Sequence, residues 1–343
     1  MKVSIGVSAY GSADISGSVS YVQAAEKLGV DSIWSAEAWG QDAVTSLAYL
    51  AAVTERIKLG TGIMQISARV PSMTAMTALS LNALSNGRFL LGLGASGPQV
   101  VEGLHGQSYT GPLTRLKETV EISRMAFRGE KLSYQGAYHE LPRPGGEGKA
   151  LRLAHPPTEI PIYLATLGPR ALEYTGAHGD GWLGTSFSPD HADAHLAYIR
   201  KGAKQAGRNM NEIDLQAACT VMIGDNVDEM IASRKPGVAF QMGAMGSAQT
   251  NFYNEAFQRA GFADDALAVQ QLWLDGKREQ AAARVTEDMV SQFQAIGTEA
   301  MVRERLRLYR DAGITTLSVR LDGYPPDARL TALEHIMDLI AAL

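Results

Sequence analysis

The sequence predicts a (β/α)8 barrel, and three observations predict it. Short apolar runs alternate with longer helical patterns along the chain, which argues a parallel sheet with helices outside it. Eight such apolar runs occur, the number that closes this type of barrel. Two of them, within residues 57–97, end in small residues: Ile57-Lys58-Leu59-Gly60-Thr61-Gly62-Ile63, and, after a helical stretch opening at Pro71, Phe89-Leu90-Leu91-Gly92-Leu93-Gly94-Ala95-Ser96-Gly97-Pro98. Small residues where parallel strands stop let a planar or phosphorylated ligand come close to the backbone.

Taken in order, strands are expected at 3–8, 32–36, 57–63, 89–95, 162–165, 181–184, 215–223 and 315–321. Helices are expected at 15–28, 43–54, 72–84, 113–128, 169–178, 189–206 and 329–343. Gly29 follows the first helix as a C-cap, and Pro189 sits where a first helical turn accepts proline. Two segments break the alternation. Residues 130–160 hold Leu132-Ser133-Tyr134-Gln135-Gly136-Ala137-Tyr138, which reads as a hairpin, then a Pro/Gly-rich run from Pro142 to Gly148. Residues 235–300 open with a stretch rich in glycine and methionine at 237–246, then become polar, alanine-rich and helical. Both read as insertions in barrel loops, within one domain spanning 1–343. The second is the lid candidate, because long insertions of this kind usually serve function.

An open, doubly wound sheet is the competing architecture. Gly92-Leu93-Gly94-Ala95-Ser96-Gly97 contains G-x-G-x-x-G, on spacing alone a weak dinucleotide signal. It follows the fourth strand rather than the first, Pro98 comes next, and the next helix is not expected until about Leu113, so the dinucleotide reading is set aside.

Composition narrows the function classes. Of 343 residues, 45% are hydrophobic and 20% charged, enough to bury a large core. The net charge is −5 with no basic run, which counts against nucleic acid or an anionic membrane as partner. No apolar stretch has the length of a membrane span, and the strand-like opening of the sequence leads us to expect no signal peptide. A cytoplasmic protein is expected. The single cysteine, Cys219, excludes an intrachain disulfide and a cysteine-based metal cluster; its apolar surroundings make it a core thiol rather than a nucleophile.

The segments that point to chemistry are Asp31-Ser32-Ile33-Trp34-Ser35-Ala36-Glu37-Ala38-Trp39, Gly60-Thr61-Gly62-Ile63, Gly87-Arg88-Phe89-Leu90-Leu91-Gly92-Leu93-Gly94, Ser96-Gly97-Pro98-Gln99-Val100-Val101-Glu102-Gly103, Leu167-Gly168-Pro169-Arg170 and Gly179-Asp180-Gly181-Trp182-Leu183. Each is modest alone. In this order and spacing, covering the chain from Ile5 to the last helix, they resemble the luciferase-like superfamily, and within it the actinobacterial type of coenzyme F420-dependent oxidoreductase. The resemblance implies a deazaflavin at the barrel mouth, hydride transfer between its C5 and a small organic substrate (a carbonyl, imine or activated alkene), and a homodimer.

It also implies site residues. Glu37, ending the second strand, corresponds to an acidic residue beside the deazaflavin; a partly desolvated carboxylate there can serve as an acid, and the structural alternative is a carboxylate capping the next turn. Better-studied relatives follow it with a histidine, here Ala38, and often place a glutamate after the fourth strand, where this chain has Ser96-Gly97-Pro98. Those departures put the familiar acid–base pair in doubt. Trp39 is expected on the substrate side, with packing as its alternative. Gly62-Ile63 aligns with a non-proline cis peptide that makes a bulge behind the ring, and Gly94, Ala95 and Ser96 are expected among the cofactor-binding residues. Gly168-Pro169-Arg170 opens a helix whose N–H groups, with the arginine, suit a phosphate; the resemblance assigns the phosphate to this loop and to Gly184-Thr185. His105, on the loop after strand four, faces substrate or is a satisfied loop histidine.

Other residues read as structural. Arg115 and Glu118 form an ion pair. His178 interacts with its helix dipole. His191 and His195 have the i,i+4 spacing of a metal pair, but no H-E-x-x-H accompanies them, so a solvated helix face is expected and no metal. Met242 and Met245 read as flexible packing.

The expected function is an F420-dependent oxidoreductase. The first alternative is an FMN-dependent monooxygenase needing a partner reductase. The second, motivated by the missing histidine and glutamate, is a non-catalytic flavin or deazaflavin carrier, which turnover with any acceptor would remove.

Overall fold

A computed structural model describes residues 1–7 and 15–343 of the chain. The fold is the expected (β/α)8 barrel. Its strands are β1 (Lys2–Gly6), β2 (Ser32–Ser35), β3 (Lys58–Thr61), β4 (Phe89–Gly94), β5 (Ile162–Leu164), β6 (Gly181–Gly184), β7 (Asp214–Ile223) and β8 (Thr316–Arg320). Most are a residue or two shorter than expected, and Ser8, expected in the first strand, lies outside the described residues. The chain divides into two compact units, Val7–Ala165 and Met1–Gly6 with Thr166–Leu343.

In the first unit β2 pairs with β3, β3 with β4 and β4 with β5, all parallel, with Ile33 opposite Leu59, Leu59 opposite Phe89 and Leu91 opposite Ile162. Every residue of β2, β4 and β5 is buried. Strands covered on both faces need no polar alternation, which is why β4 and β5 show none in sequence, while β2 buries Ser32 and Ser35 beside Ile33 and Trp34. Thr61 stitches β3 to β4: its hydroxyl donates to the Gly92 carbonyl at 2.8 Å and accepts from the Gly92 N–H at 2.9 Å. Arg88 gathers chain ends. It donates to the carbonyls of Ala51, Thr54, Ile57 and Ser85 and to the Thr54 hydroxyl, satisfying last-turn carbonyls of the helix Ala43–Val53 that have no partner within it. The helix Pro71–Leu84 stops at Asn86 and Gly87, both with positive φ.

The hairpin expected within 130–160 forms, Tyr134–Gln135 pairing antiparallel with Glu140–Leu141. The Arg115–Glu118 ion pair does not. Glu118, 4% exposed, instead accepts the N–H groups of Ala137, Tyr138 and His139 and binds the His139 ring at 2.9 Å. Burial pushes its carboxyl up, but the His139 bond and those N–H groups outweigh it and hold it below the usual carboxylate range. Arg115 lies 4.1 Å over the Tyr138 ring and donates to the Thr110 carbonyl. The hairpin, distant in sequence, supplies more donors to Glu118 than one neighbour on its own helix could.

In the second unit β1 pairs with β8, β8 with β7 and β7 with β6, again parallel. An additional strand, Ala295–Gly297, within the 235–300 segment, extends the pairing at the end of β7, and the helix Glu299–Asp311, which the sequence reading does not include, precedes β8. The helix expected at 189–206 is a 3-10 turn, Pro189–His191, followed by the helix Asp193–Gln205. The glycine-rich opening at 237–246 is not loop at its start. The helix Val227–Ala244 runs through Pro236 and Gly237 because its inner face, Ile231, Val238, Ala239 and Met242, is buried. With Phe257, Val269, Ala281, Val285, Met289 and Phe293 that face builds an apolar core of its own.

His191 and His195 form neither a metal pair nor a solvated face. His191 precedes the helix and binds Gln292 at 3.2 Å. His195 is 1% exposed, packed against Trp182 and Phe187. Cys219 is a core thiol, as expected, and burial pushes it up to about 11.

Candidate functional site

In the unit Val7–Ala165 the segment following β3 folds back onto the end of β2. The peptide between Gly62 and Ile63 is cis, as the resemblance implies. Glu37 donates its N–H to the Ile63 carbonyl at 3.2 Å. Its side chain, 8% exposed, is met by four donors: Arg69 Nη1 at 2.9 Å and Nη2 at 2.8 Å in a two-pronged ion pair, the Gln65 N–H at 3.1 Å and the Ala43 N–H at 3.4 Å. Gln65 returns a side-chain bond to the Glu37 carbonyl at 3.1 Å, and its short strand Met64–Gln65 pairs with Leu93 and Gly94 at the end of β4. Both prongs of a guanidinium on both oxygens of a carboxylate fix orientation as well as charge. Glu37 is therefore a clamp on residues 63–69, with both its oxygens engaged.

The glycines here are explained first by internal packing. A Cβ on Gly60 would come within 2.3 Å of the Trp34 ring, and one on Gly94 within 2.7 Å of Ile63 Cδ1. Glu37, Gly62, Ile63 and Gly94 are thus brought together. Ala95 and Ser96 continue from β4 at intermediate exposure, Ser96 with φ of 59° and its carbonyl accepting from the Tyr109 hydroxyl at 3.0 Å. Trp39 is 55% exposed. His105 is exposed beyond a short helix, Pro98–Val101, that sequence reasoning missed; its N–H donates to the Val100 carbonyl.

In the other unit, Gly168 caps the helix Pro169–His178, with Pro169 at its first position and Arg170 exposed. The first N–H groups of a helix have no partner inside it. A Cβ on Gly168 would make only ordinary contact, 3.7 Å from the Phe252 ring, whereas one on Gly184 would strike Trp182 at 2.5 Å. Thr185 follows Gly184 and accepts a 3.4 Å bond from Gln241, which also donates to the Ser186 hydroxyl at 2.8 Å. Arg259 donates to the Leu167 carbonyl at 2.7 Å.

Sequence reasoning missed Gln65, Ser67 and Arg69. They directly follow a barrel strand, where site residues of this fold concentrate, and that position was a usable signal. Gln241 and Arg259 lie far along the chain from the loops they touch and carry no such signal.

Residues 2–316 match the family described as luciferase-like monooxygenase. A Mycobacterium tuberculosis protein provisionally named coenzyme F420-dependent oxidoreductase is 35% identical over 328 residues, covering 93% of this chain and 94% of that one. The 5,10-methylenetetrahydromethanopterin reductase of Methanolobus tindarius is 30% identical over 301 residues, 87% of each chain. Among solved structures, the coenzyme F420-dependent tetrahydromethanopterin reductase of Methanopyrus kandleri superposes with a TM-score of 0.80 at 25% identity, covering 100% of this chain and 99% of that one.

Proposed function

The chain belongs to the luciferase-like monooxygenase family, and from that premise we propose that it is a coenzyme F420-dependent oxidoreductase acting on a small organic substrate. The observation that carries the reading is the 35% identity, over nearly the whole of both chains, to a relative named for that cofactor.

The residues present fit such a group. Gln65 Oε1 and Ser67 Oγ are buried without a hydrogen-bond partner among the described residues, and an orphaned buried polar atom is costly unless a ligand or water completes it. They suit the polar edge of a deazaflavin. Gly62, Ile63, Gly94, Ala95 and Ser96 would form the wall that receives its rings. The helix start at Gly168-Pro169-Arg170, where the Ala171 and Leu172 N–H groups already bond the Gly168 carbonyl, would with Gly184 and Thr185 take its phosphate through the Arg170 N–H and guanidinium.

When bound, F420 supplies or accepts a hydride at C5. The protein's own contribution is positional. Glu37 acts through Arg69 and the 63–65 backbone, holding the cis segment in place. Trp39 and His105, both exposed, would face the substrate. Fixing reactants on a rigid wall supplies much of the barrier reduction in such transfers.

The reading extends to a homodimer. The helices Ala43–Val53 and Pro71–Leu84 contain no charged residue, and Tyr49, Val70, Met73, Met76 and Leu84 are exposed on or beside them. Charge depletion with exposed methionine and tyrosine is the composition of an interface core.

The test is anaerobic turnover. Reduced F420 with a panel of ketones, imines and activated alkenes is expected to be reoxidised with stoichiometric product from at least one class. No product from any class, with tight cofactor binding, would favour a carrier instead.

A further inference from the structure

The two loops assigned to the phosphate are gripped from one distant segment. Arg259 holds the Leu167 carbonyl at 2.7 Å, Gln241 holds Ser186 at 2.8 Å and Thr185 at 3.4 Å, and Phe252 lies against Gly168. All belong to the unit containing Thr166–Leu343.

Arg259 is an incompletely satisfied cation. Its Nε–H is buried with no hydrogen-bond partner among the described residues, and the nearest carboxylate, Glu255, stands 4.0 Å away at the limit of an ion pair. Burial pulls the guanidinium below its ordinary range, with Glu255 opposing. The side chain is partly buried, 20% exposed, and a partly desolvated charge with a weak counter-charge is unfavourable unless something compensates it. The bond to Leu167 also acts on the loop. The Leu167 carbonyl and the Gly168 N–H are opposite edges of one planar trans peptide. A charged donor on the carbonyl edge fixes that plane and polarises the N–H on the other edge, strengthening it as a donor.

We propose that Arg259 is a positioning residue for a phosphate group at the Gly168-Pro169-Arg170 helix start, acting through the Leu167–Gly168 peptide, and that Gln241 does the same for the Gly184-Thr185-Ser186 loop. Through these two residues the 227–262 segment sets the anion affinity of both loops. The proposal rests on the F420 reading.

The experiment is equilibrium binding to the apo-protein, followed by deazaflavin fluorescence, with F420 and with a phosphate-free deazaflavin fragment. Arg259→Gln is expected to weaken F420 binding about tenfold, the lower end for a charge-assisted contact, and to change fragment binding by less than about twofold. Arg259→Lys, which keeps charge and a donor, is expected to regain most of the loss. Gln241→Ala is expected to show the same split between ligands at smaller size, and decides the matter if Arg259→Gln does not fold. Equal loss for both ligands would show a merely structural role and overturn the proposal, as would unchanged F420 affinity. A wild-type protein that does not bind F420 would overturn the functional reading, and the proposal with it.

Discussion

His195 shows how far one residue can depart from its sequence pattern. Its i,i+4 relation to His191 suggested surface, yet the ring is packed between Trp182 and Phe187 with neither nitrogen bonded among the described residues. Burial, with the charge of Arg259 nearby, pushes it down to about 3 from 6.5. The folded state therefore holds the neutral ring while the unfolded chain takes up a proton below its ordinary value. Stability contributed this way is intact above about pH 6.5 and falls with pH through the window down to about 3, at up to about 1.4 kcal/mol per pH unit. His195→Leu is expected to leave the melting temperature at pH 7 unchanged or raised, and to flatten its decline between pH 6.5 and 4. Parallel declines in both proteins would assign the acid sensitivity elsewhere.

Elements are joined here by single polar residues, and that is where sequence reading loses most. The apolar runs and their helices were legible because a strand buried on both faces is mostly apolar, as in Phe89–Gly94. Glu37 was legible as a strand-end acid; its use as a clamp was not, because its partner Arg69 lies 32 residues on. Arg88, within a segment that carried the resemblance, is accounted for by helix-end carbonyls. Glu118 was paired with the nearest arginine, when a hairpin 19 to 21 residues away satisfies it. The Glu37–Arg69 pair makes a testable link between β2 and the 63–69 segment. Glu37→Gln leaves Arg69, 21% exposed, without its anion, and should cost about 3 kcal/mol in chemical denaturation. Arg69→Gln should cost a similar amount, and the double variant less than the sum. Additive losses would show that the pair is not coupled.

For the whole molecule, the eight-unit alternation was enough to give the barrel, because strand number and helix spacing are properties of the pattern rather than of particular contacts. The 235–300 segment was not resolved in the same way. Its helices are specified by a private core, Met242 with Phe257 and Phe293 among others, whose members are scattered through alanine-rich polar sequence. Association belongs to this scale. If the charge-free helices Ala43–Val53 and Pro71–Leu84 form an isologous interface, like charges placed there face each other across the two-fold axis. Light scattering should give the mass of two chains for the wild type and of one for Met73→Glu with Met76→Glu. A monomeric wild type would remove the homodimer.

Cofactor identity separates the proposed oxidoreductase from an oxygenase of the same fold, since a deazaflavin lacks the nitrogen through which reduced flavin reacts readily with oxygen. Side-by-side titration of the apo-protein with F420 and with FMN therefore tests the central claim most directly. F420 is expected to bind at least about tenfold more tightly, a difference of about 1.4 kcal/mol. Equal or tighter binding of FMN, with oxygen consumed on its reduction, would contradict it.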